Sequence, residues 1–368
     1  MEKTLYPLRG IVTTVISCFE GENKVLDLDS VANEIDMACK AGVSGFLVPC
    51  LASEQWLLST EEKKALVKRT ADTAAGRAKL ITTITAPTTE ERIRLMNEFR
   101  DCGVNGFNMQ VPHETEQEFM QAIEAIDREK PEFLLLQDAD FTGLGIDCNW
   151  LVKAFETFPS VVGAKLEVKF TAPKCSQMLA RTGGNMIVAS GWGNDQLLEL
   201  LDRGVHTVMP SGMFEIWTRI YALHAAGNRE AAKNLFYDML PIVTFTRQSQ
   251  ELNRWFHKRY LKSFGAFSSE LSREEVVLDE YHYRYADELI ARAKGIIDRL
   301  ILRDVPTGRA HNFDYKTALQ ELVQRKKDQV LCYELIGESG PDHDKKFEVE
   351  VLLNGKPCGK GSGSSKKR

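Results

Sequence analysis

The chain has 368 residues, a formal net charge of −5 at pH 7, and 27% charged against 43% hydrophobic residues. This length is sufficient for one large domain and a small one, and the charge excludes a global attraction to nucleic acid or anionic membranes. No run of about 18 apolar residues occurs, and the first residues lack the apolar segment of a signal peptide. The 8 cysteines are scattered, without a Cys-x-x-Cys pair. We therefore predict a cytoplasmic protein with no membrane partner, no disulfides, no metal site and no cofactor.

Residues 1–212 alternate apolar, strand-like runs with amphipathic helical stretches. The eight predicted strands are 10–19, 45–50, 79–85, 106–111, 133–138, 161–167, 185–192 and 206–210. Helical patterns between them include 28–41, 61–74, 89–102, 115–129, 150–158 and 195–203. Strands that are mostly apolar are typical of a parallel sheet covered on both faces. Eight such units predict an α/β fold, a closed (β/α)8 TIM barrel. An open doubly wound sheet is the alternative, but no Gly-rich phosphate loop follows the first strand.

Four more helical patterns follow the predicted barrel, at 214–226, 229–244, 251–263 and 280–301. We expect them to form a C-terminal helical extension of the barrel domain over residues 213–302. Residues 303–312 are predicted to be a linker to a separate small domain.

Lys165 is the most informative residue, because it is an amine inside a short apolar strand, 161–167. Burial favours the neutral, nucleophilic form of an amine, and lysines activated in this way form Schiff bases with carbonyl substrates. Glu167 is two residues further along the strand and so shares a face with Lys165. The alternative interpretation is a buried ion pair between Lys165 and Glu167 that takes no part in chemistry.

Small and polar residues follow several predicted strands, and barrel chemistry takes place at those carboxyl ends. The residues at this rim include Ala52, Ser53, Glu54, Gln137, Asp138, Asp140, Thr142, Ser190, Gly191, Met209 and Ser211. Together with a buried lysine, they predict a site for a small carbonyl acid, with backbone N–H groups available for its carboxylate.

Residues 8–301 resemble the dihydrodipicolinate synthase / N-acetylneuraminate lyase family of class I aldolases. The matching features are the opening strand, the strand-two turn with Glu54, the Leu-Ser-x-Glu-Glu helix start at 58–62, the lysine strand with Gly163, and the Gly-rich end of strand seven. The resemblance implies a barrel with extra C-terminal helices that assembles as a homotetramer or homodimer. It also implies that Lys165 forms a Schiff base with a 2-oxo acid such as pyruvate or a pyruvate-derived sugar acid.

The departures from that family indicate a divergent subgroup. Where the family has Gly-Thr-Thr-Gly-Glu, residues 50–54 are Cys-Leu-Ala-Ser-Glu. The family's relay tyrosine falls on Gln137, whose neutral amide cannot act as an acid or base. The synthases' arginine for a second carboxylate has no counterpart before Thr142. Glu167 and Asp138 are the candidates to replace the tyrosine, whereas Asp140 is better explained as a solvated loop residue. The residues expected to bind substrate are Ala52, Ser53, Glu54, Thr142, Gly191 and Met209.

A second pattern covers residues 313–368. It comprises an amphipathic helix at 314–322, two alternating strands at 333–337 and 347–353 around Gly-Pro-Asp-His, and a basic end with Ser-Lys-Lys. Alone, the basic end would be interpreted as a solvated tail. The whole run resembles the double-stranded-RNA-binding domain at the end of bacterial ribonuclease III, a small α+β domain. That resemblance implies RNA contacts by the residues Gln320, Glu321, His343, Lys366 and Lys367.

The sequence ends where the last helix of such a domain is expected, so we predict a partial domain that binds duplex RNA weakly. No segment resembles the nuclease catalytic domain. Whether the appendage is a natural fusion or a truncation stays open at this point. Three functions also stay open: a Schiff-base lyase, an RNA-binding protein with a catalytically lapsed barrel, and a 2-oxo-acid sensor.

Overall fold

A computed structural model describes residues 4–191, 193–303, 330–339 and 346–363. The chain divides into two compact units, Met1–Ile297 and Asp298–Arg368. The predicted linker at 303–312 lies, except for residue 303, outside the described residues.

The first unit contains the predicted closed barrel of eight parallel strands, which the structure confirms. The strands are β1 Gly10–Thr14, β4 Gly45–Leu47, β5 Lys79–Ile84, β6 Gly106–Met109, β7 Phe133–Asp140, β8 Val161–Val168, β9 Ile187–Ser190 and β10 Thr207–Val208. Around the barrel they follow the order β1-β10-β9-β8-β7-β6-β5-β4. A hairpin of β2 (Phe19–Glu20) and β3 (Val25–Leu26) lies outside the barrel order.

Strand β1 is shorter than the prediction of 10–19. Beyond Thr14, the backbone N–H of Ile16 donates to the carboxylate of Glu34, at 3.3 and 3.2 Å, instead of continuing a ladder. Glu34 is fully buried, and burial raises its pKa well above the ordinary range. A long-range side-chain acceptor therefore ends the strand, which local sequence patterns do not reveal.

Helices surround the barrel and begin near the predicted positions. They are α1 Leu28–Lys40, α2 Thr60–Ala74, α3 Thr89–Arg100, α4 Glu116–Arg128, α5 Cys148–Thr157, α6 Thr171–Arg181 and α7 Leu197–Asp202. Ser59 and Glu62 form a capping box that begins α2. Helix α6 was not among the predicted helices, and no side-chain cap marks its start.

The interior of the barrel is apolar at its base and polar at its mouth. Phe133, Leu135, Ile187 and Ala189 belong to the buried cluster that fills the base. Because side chains alternate along a strand, Gln137 shares the inward face of β7 with Phe133 and Leu135. The polar residues are thus placed directly above a packed core.

Four further helices follow the barrel: α8 Phe214–Ala225, α9 Arg229–Thr246, α10 Gln250–Ser263 and α11 Glu280–Arg303. They match the predicted C-terminal helical patterns closely. Within the described ranges, no helix has both the length and the apolar composition needed to cross a membrane.

The second unit contains a three-stranded antiparallel sheet of order β11-β12-β13. Its strands are β11 Leu331–Ser339, β12 Lys346–Leu353 and β13 Lys356–Gly363. The first two confirm the predicted strands. The predicted helix at 314–322 and the Gly-Pro-Asp-His segment at 340–343 lie outside the described residues.

Candidate active site

Lys165 lies on β8 at the barrel mouth, with its side chain pointing inward. It is 7% exposed, and its Nζ donates to Glu167 Oε2 at 2.8 Å and to Gln137 Oε1 at 3.3 Å. The parallel register places Gln137 directly beside Lys165. The structure therefore brings together three of the four residues that were predicted to take part in the chemistry.

The amide of Gln137 joins this network from the neighbouring strand. Its Nε2 donates to Glu167 Oε2 at 2.7 Å, and its Oε1 accepts a hydrogen bond from Asn108 Nδ2 at 2.7 Å. Asn108 lies on β6 and is fully buried. Gln137 thus orients both the amine and the carboxylate, although it cannot transfer a proton itself.

The close approach of β8 and β9 requires a glycine at position 191. A β-carbon at this position would overlap the Glu167 carboxylate and Cε of Lys165. A larger residue at the end of β9 would displace the amine, so Gly191 keeps space beside the nucleophile free.

Two cavities meet at Lys165, which lines both of them. The smaller cavity has a volume of about 300 Å³ and is also lined by the predicted residues Ala52, Gly191 and Met209. The larger cavity has a volume of about 800 Å³ and also contacts Gln137 and Glu167. Volumes in this range are typical of small-molecule sites.

The smaller cavity includes polar residues that the sequence analysis did not select. Thr14 Oγ1 and Ser211 Oγ lie 2.6 Å apart at the ends of two adjacent strands. Arg247, directly after α9, and Asn253, in the first turn of α10, line one side of this cavity. Ser211 stood at the predicted rim and could have been selected, whereas residues of the later helices carry no local signal of their position.

Ser53 and Glu54 were predicted to bind substrate, and the structure gives both of them other partners. Ser53 is fully buried, and its hydroxyl donates to the backbone oxygen of Val15 at 2.6 Å. Glu54 is also fully buried, forms an ion pair with Lys258, and accepts the backbone N–H of Arg273 at 2.8 Å. Neither lines the two cavities. Both residues hold the strand-two turn in place, so we correct their assignment to structural roles.

Asp138 lies on the outer face of β7, because Gln137 before it points inward. Its carboxylate pairs with Lys174 at 2.6 Å and accepts the backbone N–H of Ile146 at 2.9 Å. Burial raises the pKa of Asp138, and the ion pair with Lys174 opposes that shift. Asp138 is therefore an anchor between β7 and α6, and we withdraw it as a candidate for proton transfer at Lys165.

Thr142 lies on the exposed loop after β7 and lines neither cavity, although the preceding Phe141 lines the larger one. Its hydroxyl contacts the carboxylate of Asp140 at 3.3 Å. That carboxylate also accepts the N–H of Gly143, at 2.8 Å, and backbone hydrogen bonds lower the pKa of Asp140. Asp140 is the half-buried last residue of β7 and bonds to the turn that follows it, so it is not the solvated loop residue that was expected. Thr142 belongs to that turn and does not line either cavity.

The predicted RNA-contacting residues lie outside the described residues: Gln320, Glu321, His343, Lys366 and Lys367.

The two units resemble different known proteins. Residues 315–368 match the double-stranded RNA binding motif. Ribonuclease 3 from Listeria welshimeri is 41% identical over 85 residues, which are 23% of this chain and 37% of that protein. Ribonuclease 3 from Streptococcus pneumoniae is 46% identical over 82 residues, or 22% of this chain and 35% of that protein. The chain therefore spans little more than a third of the length of these curated relatives.

The barrel unit is similar to several solved structures. A monomeric dihydrodipicolinate synthase variant superposes with a TM-score of 0.71 at 20% identity, covering 78% of this chain and 97% of the other. Dihydrodipicolinate synthase from Rhodopseudomonas palustris gives a TM-score of 0.69 at 23% identity, with 79% and 99% covered. At these identities the likeness shows the fold. Residues 7–282 match the model of the dihydrodipicolinate synthetase family, which is most of the chain. The protein therefore belongs to the dihydrodipicolinate synthetase family, with a double-stranded RNA binding motif after the barrel domain.

Proposed function

We propose that the protein is a lyase of the class I aldolase type, in which Lys165 forms a Schiff base with a 2-oxo acid. Pyruvate, or a sugar acid derived from it, is the proposed substrate class. The observation that carries this proposal is the position of Lys165. Of the lysines in the described part of the chain, it is the one that lines the two cavities at the barrel mouth.

The network around Lys165 supports imine formation. Glu167, 2.8 Å from Nζ, can take a proton from the ammonium and leave a nucleophilic amine. The amine then adds to the C2 carbonyl, and return of the proton helps the oxygen to leave as water. The resulting iminium accepts the electron pair of the C3–C4 bond as that bond breaks, which gives an enamine. The C4 hydroxyl loses its proton in the same step, and the rest of the substrate leaves as a carbonyl compound. Protonation at C3 and hydrolysis then release the product and restore the lysine.

The substrate carboxylate is proposed to occupy the smaller cavity. Thr14 and Ser211 offer hydroxyl groups there, and Ala52 belongs to the turn that follows β4. This arrangement replaces the second threonine that the family's usual motif would supply. Assembly as a homodimer or homotetramer, and location in the cytoplasm, stay predictions.

Reduction of the imine tests this proposal. Incubation with pyruvate and borohydride is expected to label the peptide that contains Lys165, as detected by mass spectrometry. The same sample without reductant is the control, because an unreduced imine hydrolyses during digestion. Labelling of other lysines alone would contradict the assignment.

A hydrogen-exchange measurement separates a lyase from a sensor that binds without turnover. A lyase must form the enamine, so we expect enzyme-dependent exchange of the pyruvate C3 protons in deuterated water, followed by NMR. Labelling of Lys165 without such exchange would favour the sensor instead.

The match to the double-stranded RNA binding motif supports a second proposal, weak binding of duplex RNA by residues 315–368. Each lysine that meets a phosphate adds to the salt dependence of binding. We expect the double variant Lys366→Gln/Lys367→Gln to bind labelled duplex RNA more weakly, with a salt slope reduced by about two. Unchanged affinity and an unchanged salt slope would show that these two lysines do not contact the RNA. Tight binding by the natural sequence at physiological salt would favour RNA binding over lyase activity as the function of the protein.

A further inference from the structure

The larger cavity is bigger than a three-carbon acid requires. It extends from Lys165 along the ends of β5 and β6 to the first turns of α3, and its volume is about 800 Å³. Pyruvate bound at Lys165 would leave most of this space unfilled. The polar groups along its wall therefore indicate what else the substrate carries.

Arg92, on α3, is the unusual group in that wall. Its Nε and Nη1 atoms are buried and have no hydrogen-bond partner in the described part of the chain. Burial lowers the pKa of the Arg92 guanidinium, which nonetheless stays cationic at neutral pH. A cation with unsatisfied buried donors is costly to the folded protein unless a ligand supplies the acceptor.

The other charged groups of the larger cavity do not satisfy Arg92. Lys165 and Glu167 bond to each other, and Glu114 and Glu118 are exposed to solvent. Thr83, at the end of β5, also lines the cavity and has a buried hydroxyl oxygen without a partner among the described residues. Arg92 and Thr83 are half-buried residues that line one space, and both have donors that no described residue satisfies.

We infer that Arg92 binds a second carboxylate of the substrate, so that the preferred substrates are 2-oxo acids with a distal carboxylate. This inference rests on the proposed Schiff base at Lys165. A planar guanidinium and a carboxylate make paired, charge-assisted hydrogen bonds, and the hydroxyl of Thr83 can add another. A single carboxylate suits a single cation better than a dianionic phosphate does, because Glu114 and Glu118 contribute negative charge to the same wall.

The test compares diacids with monoacids of equal chain length. Trapping by borohydride at Lys165 is measured as a function of substrate concentration for 2-oxoglutarate, 2-oxoadipate and 2-oxopimelate. Each diacid is compared with the 2-oxo monoacid of the same chain length. For the best-fitting length, we expect the natural sequence to reach half-saturation at about tenfold lower concentration with the diacid. In Arg92→Leu, the ratio of the half-saturating concentrations of monoacid and diacid should fall close to one. Arg92→Lys should give an intermediate value, because lysine keeps the charge and loses the paired geometry.

Arg94→Leu is the matched control, since Arg94 lies on the same helix, is exposed, and pairs with Glu98. It should keep the diacid preference. A ratio that is unchanged in Arg92→Leu, or absent from the natural sequence at every length, would overturn the inference. Failure of pyruvate itself to label Lys165 would instead contradict the proposed function, so the two failures are distinguishable. Circular dichroism of each variant establishes that it is folded. If Arg92→Leu does not fold, Arg92→Gln replaces it in the comparison.

Discussion

Replacement of Lys165 with alanine is expected to abolish both borohydride trapping and turnover, because no other lysine in the described part of the chain lines the two cavities. Covalent catalysis requires the amine itself, and neither Gln137 nor Glu167 can form an imine. The expected effect is therefore a complete loss of labelling. The measurements are mass spectrometry of the trapped protein and the rate of C3 proton exchange of pyruvate.

Two variants make this result specific. Lys165→Arg keeps a cation beside Glu167 but cannot form the imine, so it should also be inactive while it preserves the ion pair. Lys169→Ala removes an exposed lysine just after the same strand and should label normally. Persistent turnover in Lys165→Ala would show that the chemistry does not proceed through this amine.

The second large effect is expected for Glu167→Gln. The glutamine has the same shape and can accept the hydrogen bond of Lys165, but it can no longer take up a proton. Loss of a general acid or base typically lowers the rate by about 10²–10⁴. We expect that reduction in the rate of imine formation, measured by stopped-flow trapping, while Lys165 remains the labelled residue.

The control for Glu167→Gln is Asp140→Asn, which removes a carboxylate from the last residue of β7. It should leave imine formation nearly unchanged, because Asp140 is bonded to its own turn. If Glu167→Gln forms the imine as fast as the natural sequence, Glu167 is only a counter-ion of Lys165, and water or the substrate carries the proton.

The barrel was predictable because its signals are local. Apolar runs and helix starts recur at regular distances, and their number determines the architecture. The ends of the strands were less predictable, since they depend on distant partners. Strand β1 ends where Ile16 bonds to Glu34, and α6 begins without a capping side chain.

The candidate site shows the same division. Lys165 and Glu167 could be paired from the alternation of one strand, and Gln137 followed from the family resemblance. Glu54 could not be assigned correctly, because its partner Lys258 is 204 residues away in the sequence. Asp138 was misassigned although the alternation of side chains, with Gln137 facing inward, already places it on the outer face of β7. Arg92 was not among the selected residues, because a helical sequence pattern does not show that an arginine has buried donors without a partner.

The hydrogen-bond network has a further consequence when its donors are counted. An ammonium has three N–H groups, whereas an iminium nitrogen has one. Glu167 Oε2 receives a hydrogen from Gln137 at 2.7 Å as well as from Lys165, and Gln137 Oε1 receives one from Asn108 at 2.7 Å as well as from Lys165. Each oxygen thus keeps a donor when the nitrogen gives up its protons. A buried acceptor left unmatched costs about 1–3 kcal/mol, and the redundancy of this network avoids that cost at both oxygens. The amine can therefore alternate between its free and covalent forms while the surrounding side chains stay in place.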